Sequence, residues 1–81
     1  MKNVPDTKTI ETILSHVIDM HDREARDVDD YYHFVEIEKD DNCRTSMERR
    51  LHRCKGRVSA YRDVIADLNG LLEAVYTLKN F

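Results

Sequence analysis

The most constraining feature of this sequence is a run of apolar side chains spaced alternately four and three residues apart in its second half. The run stays in register over four heptads. Its members are Met47, Leu51, Cys54, Val58, Tyr61, Ile65, Leu68, Leu72 and Val75. This spacing is typical of a helix that lies along another helix, because it keeps one narrow apolar seam facing the partner. The pattern therefore predicts an architecture, and it indicates no reaction.

A matching pattern runs through the first half of the chain, from about residue 7 to about residue 39. Its seam positions are Ile10, Leu14, Val17, His21, Glu24, Val28, Tyr31 and Val35. Asp6 or Thr7 is suited to cap this helix, and residues 1–5 form a tail that ends in Pro5. The sequence therefore predicts two long helices.

The segment between the two patterns, residues 39–46, is polar and rich in Asp, which predicts a turn. Thr45 and Glu48 have the spacing of a capping box, so we expect the second helix to run from about residue 46 to about residue 78. Gly56 and Gly70 interrupt this helix. Because the seam stays in register across both glycines, we expect one continuous or kinked helix.

The charge distribution favours an antiparallel hairpin, all-α, as a single domain over residues 1–81. Residues 6–42 carry twelve acids and four bases, a net of −8, whereas residues 43–63 carry seven bases and two acids, a net of +5. Folding the chain near Asn42 lays the basic segment along the acidic one. Opposite charges that flank a helical seam favour this orientation.

Val64, Leu71 and Leu78 form a second apolar stripe beside the seam. One partner helix cannot cover both stripes, so we expect the hairpin to self-associate into a dimeric four-helix or higher bundle. The expected oligomerisation residues lie near the open end of the hairpin. They are Ile10, Leu14, Val17, Val64, Leu68, Leu71, Leu72, Val75 and Leu78.

Composition argues against several classes of protein. Charged residues make up 36% of the chain but the net charge is only −3, which indicates neither a nucleic-acid binder nor a disordered acidic tail. We expect no secretory signal, because the N-terminal residues include no long apolar core, and no apolar run approaches the length of a membrane span. Cys43 and Cys54 would lie roughly 16 Å apart along one helix, too far for a disulfide. Two reduced thiols suit a cytoplasmic protein.

We expect no catalytic residues, cofactor or metal. The chain has no Gly-rich phosphate loop and no nucleophile motif, and its Cys and His residues lack the spacing of a zinc site. Polar residues crowd one segment of the first helix: His16, Asp19, His21, Asp22 and Glu24. They suit a metal site or a buried polar patch. Because the second helix offers no matching ligands, we favour a patch in which His21 and Glu24 bond Tyr61 and fix the register.

The segment His52-Arg53-Cys54-Lys55-Gly56 resembles the His-x-Leu-Lys-Gly signature of histidine phosphotransfer domains, with Cys54 where that family has Leu. The resemblance implies a four-helix bundle in which His52 accepts a phosphoryl group while Lys55 and Gly56 supply charge and room for it. The competing interpretation is a solvent-facing histidine on a basic helix, with Gly56 at a close approach of two helices.

The four consecutive residues Tyr31-Tyr32-His33-Phe34 span about 300° of a helix, so Tyr32 and His33 must point away from the seam. Exposed aromatic residues beside arginines are typical of interface hot spots. Folding near Asn42 brings arginines of the second helix to this half. We therefore predict a partner-binding surface of Tyr32, His33, Arg50 and Arg53.

These features predict a small non-enzymatic binding protein, an inhibitor, adaptor or regulator that acts through protein contacts as a homo-oligomer. Proteins of this fold and size are common in phage and mobile-element genomes, which is an analogy only. One alternative is binding of nucleic acid or an anionic nucleotide by the basic segment 44–62, through Arg49, Arg50, Arg53, Lys55 and Arg57. Arginines that pair with the first helix would argue against it. The other alternative is phosphotransfer on His52.

Overall fold

The computed structural model describes residues 6–80 as two α-helices, α1 (Thr7–Ile37) and α2 (Asp41–Lys79). The prediction of an all-helical chain with two long helices is confirmed. The molecule measures 61 Å along its long axis and 16 by 14 Å across, an extended shape consistent with a hairpin. The tail expected before Asp6 lies outside the described residues.

The first helix begins where the sequence predicted. Asp6 is the N-cap, and its carboxylate accepts a hydrogen bond from the backbone N–H of Lys8 at 3.1 Å. Its carbonyl oxygen accepts from the N–H of Ile10 at 3.2 Å. An aspartate here satisfies a free N–H group and places negative charge at the positive end of the helix dipole.

Residues 38–40 connect the helices in a tight turn. Glu38 adopts an extended conformation with ψ 126°, which ends α1. Asp40 caps α2 by accepting from the N–H groups of Asn42 at 2.9 Å and Cys43 at 3.1 Å. The Arg44 guanidinium donates two hydrogen bonds to the Glu38 carbonyl oxygen, at 3.0 and 3.2 Å. The first turn of α2 is thus tied directly to the end of α1.

The prediction that the second helix starts near residue 46 is wrong. Thr45 already lies inside α2, where its hydroxyl donates to the Asp41 carbonyl at 2.9 Å, and it forms no capping box with Glu48. The Asp-rich segment indicated a long turn because Asp and Asn favour both turns and helix starts. Here Asp40 acts as the cap and the residues after it are helical.

The second helix continues through both glycines, as the seam register predicted. A Cβ atom added at Gly56 or Gly70 would meet no atom of residues 6–80 within 4 Å. The interpretation of Gly56 as a site of close approach between α1 and α2 is therefore wrong, because within these residues that position faces open space.

The two helices pack antiparallel along the predicted seam. Contacts pair Glu11 with Tyr76 near the open end and Tyr32 with Lys55 nearer the turn. Every seam position of both helices is buried or half-buried. The buried apolar residues are Ile10, Val17, Leu51, Cys54, Val58, Leu72 and Val75. Ile10, Leu72 and Val75 form one cluster at the open end, against which Leu14 and Leu68 pack.

The heptad register gives the hairpin two distinct sides. The Tyr32–Lys55 and Glu11–Tyr76 contacts lie on one side of the seam, which we call the tyrosine side. Side chains on the opposite side, the arginine side, each precede a seam position by one residue. In α2 they are Arg50, Arg57, Val64 and Leu71, and in α1 they are Ile13, Met20, Asp27 and Phe34. Leu78 lies one heptad beyond Leu71 on the same side.

Candidate functional site

A carboxylate stands in the middle of the seam. Glu24 is 18% exposed at its side chain, and its Oε1 accepts a hydrogen bond from Arg57 Nη1 at 3.2 Å. Its Oε2 is buried and has no hydrogen-bond partner among residues 6–80. Removing charge from water is costly unless it is paired, so the Arg57 contact is the compensation that the fold provides here.

His21 is held by two neighbours. Its Nδ1 lies 3.0 Å from Asp22 Oδ1, and Arg62 Nε donates to its Nε2 at 3.2 Å. Because the arginine can only donate, Nε2 is the acceptor and the proton is on Nδ1. The prediction that His21 and Glu24 both bond Tyr61 is wrong. Long arginine side chains beside the seam reach these groups instead.

The side chains of the crowded polar segment of α1 do not converge on one point within the described residues. Across residues 6–80, no three His, Cys, Asp or Glu side chains converge closely enough to hold an ion. His21 and Glu24 are engaged by arginines rather than by other potential ligands.

Both cysteines are free thiols with different surroundings. Burial raises the pKa of the Cys54 thiol, and the nearby Glu24 carboxylate raises it further, while the Arg57 charge opposes the shift. The negative charge of Asp40 is the main cause that raises the pKa of the exposed Cys43 thiol. Neither environment favours the thiolate, so neither cysteine is an activated nucleophile.

The basic residues of the segment 44–62 divide into two groups. Four have partners: Arg44 at the turn, Lys55 on Tyr32, Arg57 on Glu24 and Arg62 on His21. Within residues 6–80, Arg49, Arg50 and Arg53 make no ion pair or side-chain hydrogen bond. We expected the bases of segment 44–62 to pair with acids of α1. Arg49, Arg50 and Arg53 do not do so within residues 6–80.

Arg50 and Arg53 line a groove of about 210 Å³ beside the seam. We call it the arginine groove. Its lining residues are Tyr31, Arg50, Arg53, Cys54 and Arg57.

The structure does not bring the predicted partner-binding residues together. Tyr32 lies on the tyrosine side, where Lys55 Nζ donates to its hydroxyl at 2.5 Å and sits 5.0 Å from the ring centre. Arg50 and Arg53 lie on the opposite side, in the arginine groove. His33 is exposed, with its ring 6.2 Å from that of Phe34. The predicted surface is thus divided by the seam.

Two exposed apolar residues near the turn were not assigned to the predicted partner-binding surface. Phe34 is 44% exposed and Ile37 is 58% exposed. Phe34 makes an edge contact with Tyr31, at 6.5 Å between ring centres. Heptad positions would have revealed Phe34, since it directly precedes the seam residue Val35 and belongs to the arginine side.

His52 is exposed on α2, with open space at Gly56 one turn further along. Lys55 reaches across to Tyr32. The described residues contain two helices, so a four-helix bundle like that of the phosphotransfer domains would need further helices beyond these residues.

Most of the predicted oligomerisation residues are used within the hairpin. Six of the nine are buried or half-buried in the seam. The other three, Val64, Leu71 and Leu78, are 43%, 41% and 53% exposed. Ile13, on the same side of α1, is 47% exposed. We call these four residues the open-end patch.

Neither described helix has a stretch apolar enough to cross a bilayer. Comparison with known proteins found no matching family, no similar curated protein and no similar solved structure.

Proposed function

We propose that this chain is a non-enzymatic binding protein that works as a homo-oligomer through protein contacts. The observation that carries the proposal is the open-end patch. Its four members lie on one side of the seam in the same half of the hairpin, and each is more than two-fifths exposed. Contiguous exposed apolar surface of this kind is typical of interaction sites.

The thin core of the hairpin supports self-association. Val75 alone, among residues 6–80, is less than 2% exposed. Complete burial of one Leu, Ile or Val side chain stabilises a fold by roughly 1.5–3 kcal/mol, and each patch residue still exposes close to half of its surface. A second copy brings the identical patch, so docking about a two-fold axis covers both patches at once and adds a second layer to the core.

The test is the mass of the protein in solution. Light scattering at micromolar concentration should give at least twice the 9.6 kDa mass of one chain. Leu71→Glu places a charge in the centre of the open-end patch and should shift the protein towards monomer while lowering its melting temperature, because folding and assembly are coupled in such oligomers.

Ile18→Glu is the matched control for this test. Ile18 is 38% exposed in the same half of the molecule, but it follows the seam residue Val17 and so belongs to the tyrosine side. This variant should keep the mass of the unmodified protein. A monomeric unmodified protein, or equal dissociation of both variants, would rule out the patch as the assembly surface.

We propose that a partner protein contacts the turn half of the hairpin. Tyr32 and His33 are exposed in the turn half, away from the open-end patch, and can contact an inhibited or regulated protein while the patch is covered. We place this activity in the cytoplasm, since both thiols are free.

A further inference from the structure

We propose that the arginine groove binds the phosphate group of a small phosphomonoester. The site consists of Arg50, Arg53 and Arg57, with Tyr31 and Cys54 completing its lining. This inference goes beyond the proposed protein contacts, and it lies at the other end of the hairpin from the open-end patch.

Arg50 and Arg53 differ from the basic residues of α2 that have hydrogen-bond partners. Residues 6–42 carry twelve acids. Glu24 of α1 accepts a hydrogen bond from Arg57, and the Glu38 carbonyl in the turn accepts from Arg44. Neither Arg50 nor Arg53 receives such a partner within residues 6–80, although both lie beside the seam. Their positive charge is left for a group outside the described chain.

The spacing of these arginines directs them to a common ligand. Arg50, Arg53 and Arg57 stand at positions i, i+3 and i+7 of α2, which places them on one face of the helix. Arg57 is shared with Glu24, so the groove has two fully available guanidinium groups and one partly neutralised group. Guanidinium forks match the oxygens of phosphate and can donate two parallel hydrogen bonds to it.

The charge of the two unpaired guanidinium groups indicates which class of anion the groove binds. A phosphomonoester carries about −1.5 to −2 at neutral pH, which matches two unpaired guanidiniums. A long polyanion fits less well, because the chain has a net charge of −3 and eight of its sixteen acids lie on α1, which is packed along α2. A groove of about 210 Å³ also suits one phosphate group with a small attached moiety better than a strand.

The experiment is a chemical-shift titration of the ¹⁵N-labelled full chain with AMP. Cyclic AMP serves as the matched ligand, since it keeps the base and the ribose but is a singly charged diester. Inorganic phosphate and a short oligothymidylate form two further arms. We expect saturable shifts centred on Arg50 and Arg53, with cyclic AMP about tenfold weaker than AMP, because one charge-assisted pair is lost.

Variants of two arginines one helical turn apart distinguish binding at a specific site from nonspecific attraction by the positive charge of α2. Arg53→Gln should weaken AMP binding about tenfold, whereas Arg49→Gln removes the same charge from an unpaired arginine outside the groove and should change affinity little. Circular dichroism checks that both variants are folded. Saturable binding of phosphate at similar affinity would support the site and show that the ester group adds little.

Several results would overturn the proposal. They are shifts that do not saturate, equal affinity for AMP and cyclic AMP, or equal weakening by both variants. Oligothymidylate binding tighter than AMP would also refute it in favour of nucleic acid, particularly if the affinity fell steeply with salt. None of these results depends on the oligomeric state.

Discussion

The two thiols provide a test of local structure at the scale of single residues. Native protein treated with iodoacetamide near neutral pH should be alkylated at Cys43, which is exposed, and not at Cys54, which is buried until the hairpin opens. Peptide mass mapping over time measures both sites. Rapid alkylation of Cys54 in folded protein would contradict the packing of the seam around it.

The rate at Cys43 tests its electrostatic environment. The Asp40 charge raises the pKa of this thiol, so at a given pH less of it is thiolate than in an unstructured peptide, and alkylation should be slower. Asp40→Asn removes the charge but keeps a good helix cap. This variant should therefore react faster at Cys43 with unchanged helix content. An unchanged rate would show that Asp40 does not control the thiol.

At the scale of the helix, the two glycines of α2 offer a test of exposure. Gly56→Ala and Gly70→Ala should each raise the free energy of unfolding by about 1 kcal/mol, since a Cβ meets no atom of the described chain within 4 Å and alanine favours the helix. Denaturant melts measure the effect. Destabilisation at either position would mean that another chain packs closely against that part of α2.

Helix positions followed from sequence more reliably than helix ends. Apolar spacing predicted every seam position, because burial along a helix imposes a period that few other structures share. The start of α2 did not follow, since Asp40 and Asp41 favour a turn and a helix start equally. Only the bonds that Arg44 makes to the Glu38 carbonyl show how short the turn is.

Side-chain partners were harder to predict than seam positions. The opposite net charges of the two segments indicated that α2 lies along α1. They did not indicate which arginines find partners: Arg57 and Arg62 reach into the seam, whereas Arg50 and Arg53 stay unpaired within residues 6–80. Whether an arginine pairs depends on differences of a few ångströms in the distance to its partner and on the side of the seam where the arginine lies. Heptad positions assigned to both helices place Tyr32 just after a seam residue and Arg50 just before one, which is enough to put them on opposite sides.

At the scale of the whole molecule, the hairpin exposes the open-end patch, which we propose is buried by a second copy of the chain. If the open-end patch joins two copies, unfolding also separates them, and mass action makes the melting temperature rise with protein concentration. Thermal melts followed by circular dichroism over a hundredfold concentration range should show this rise. The Leu71→Glu variant should melt at one temperature throughout the range. A constant melting temperature for the unmodified protein would instead mean that the hairpin folds alone, and that the exposed Val64, Leu71 and Leu78 serve a contact with a different protein.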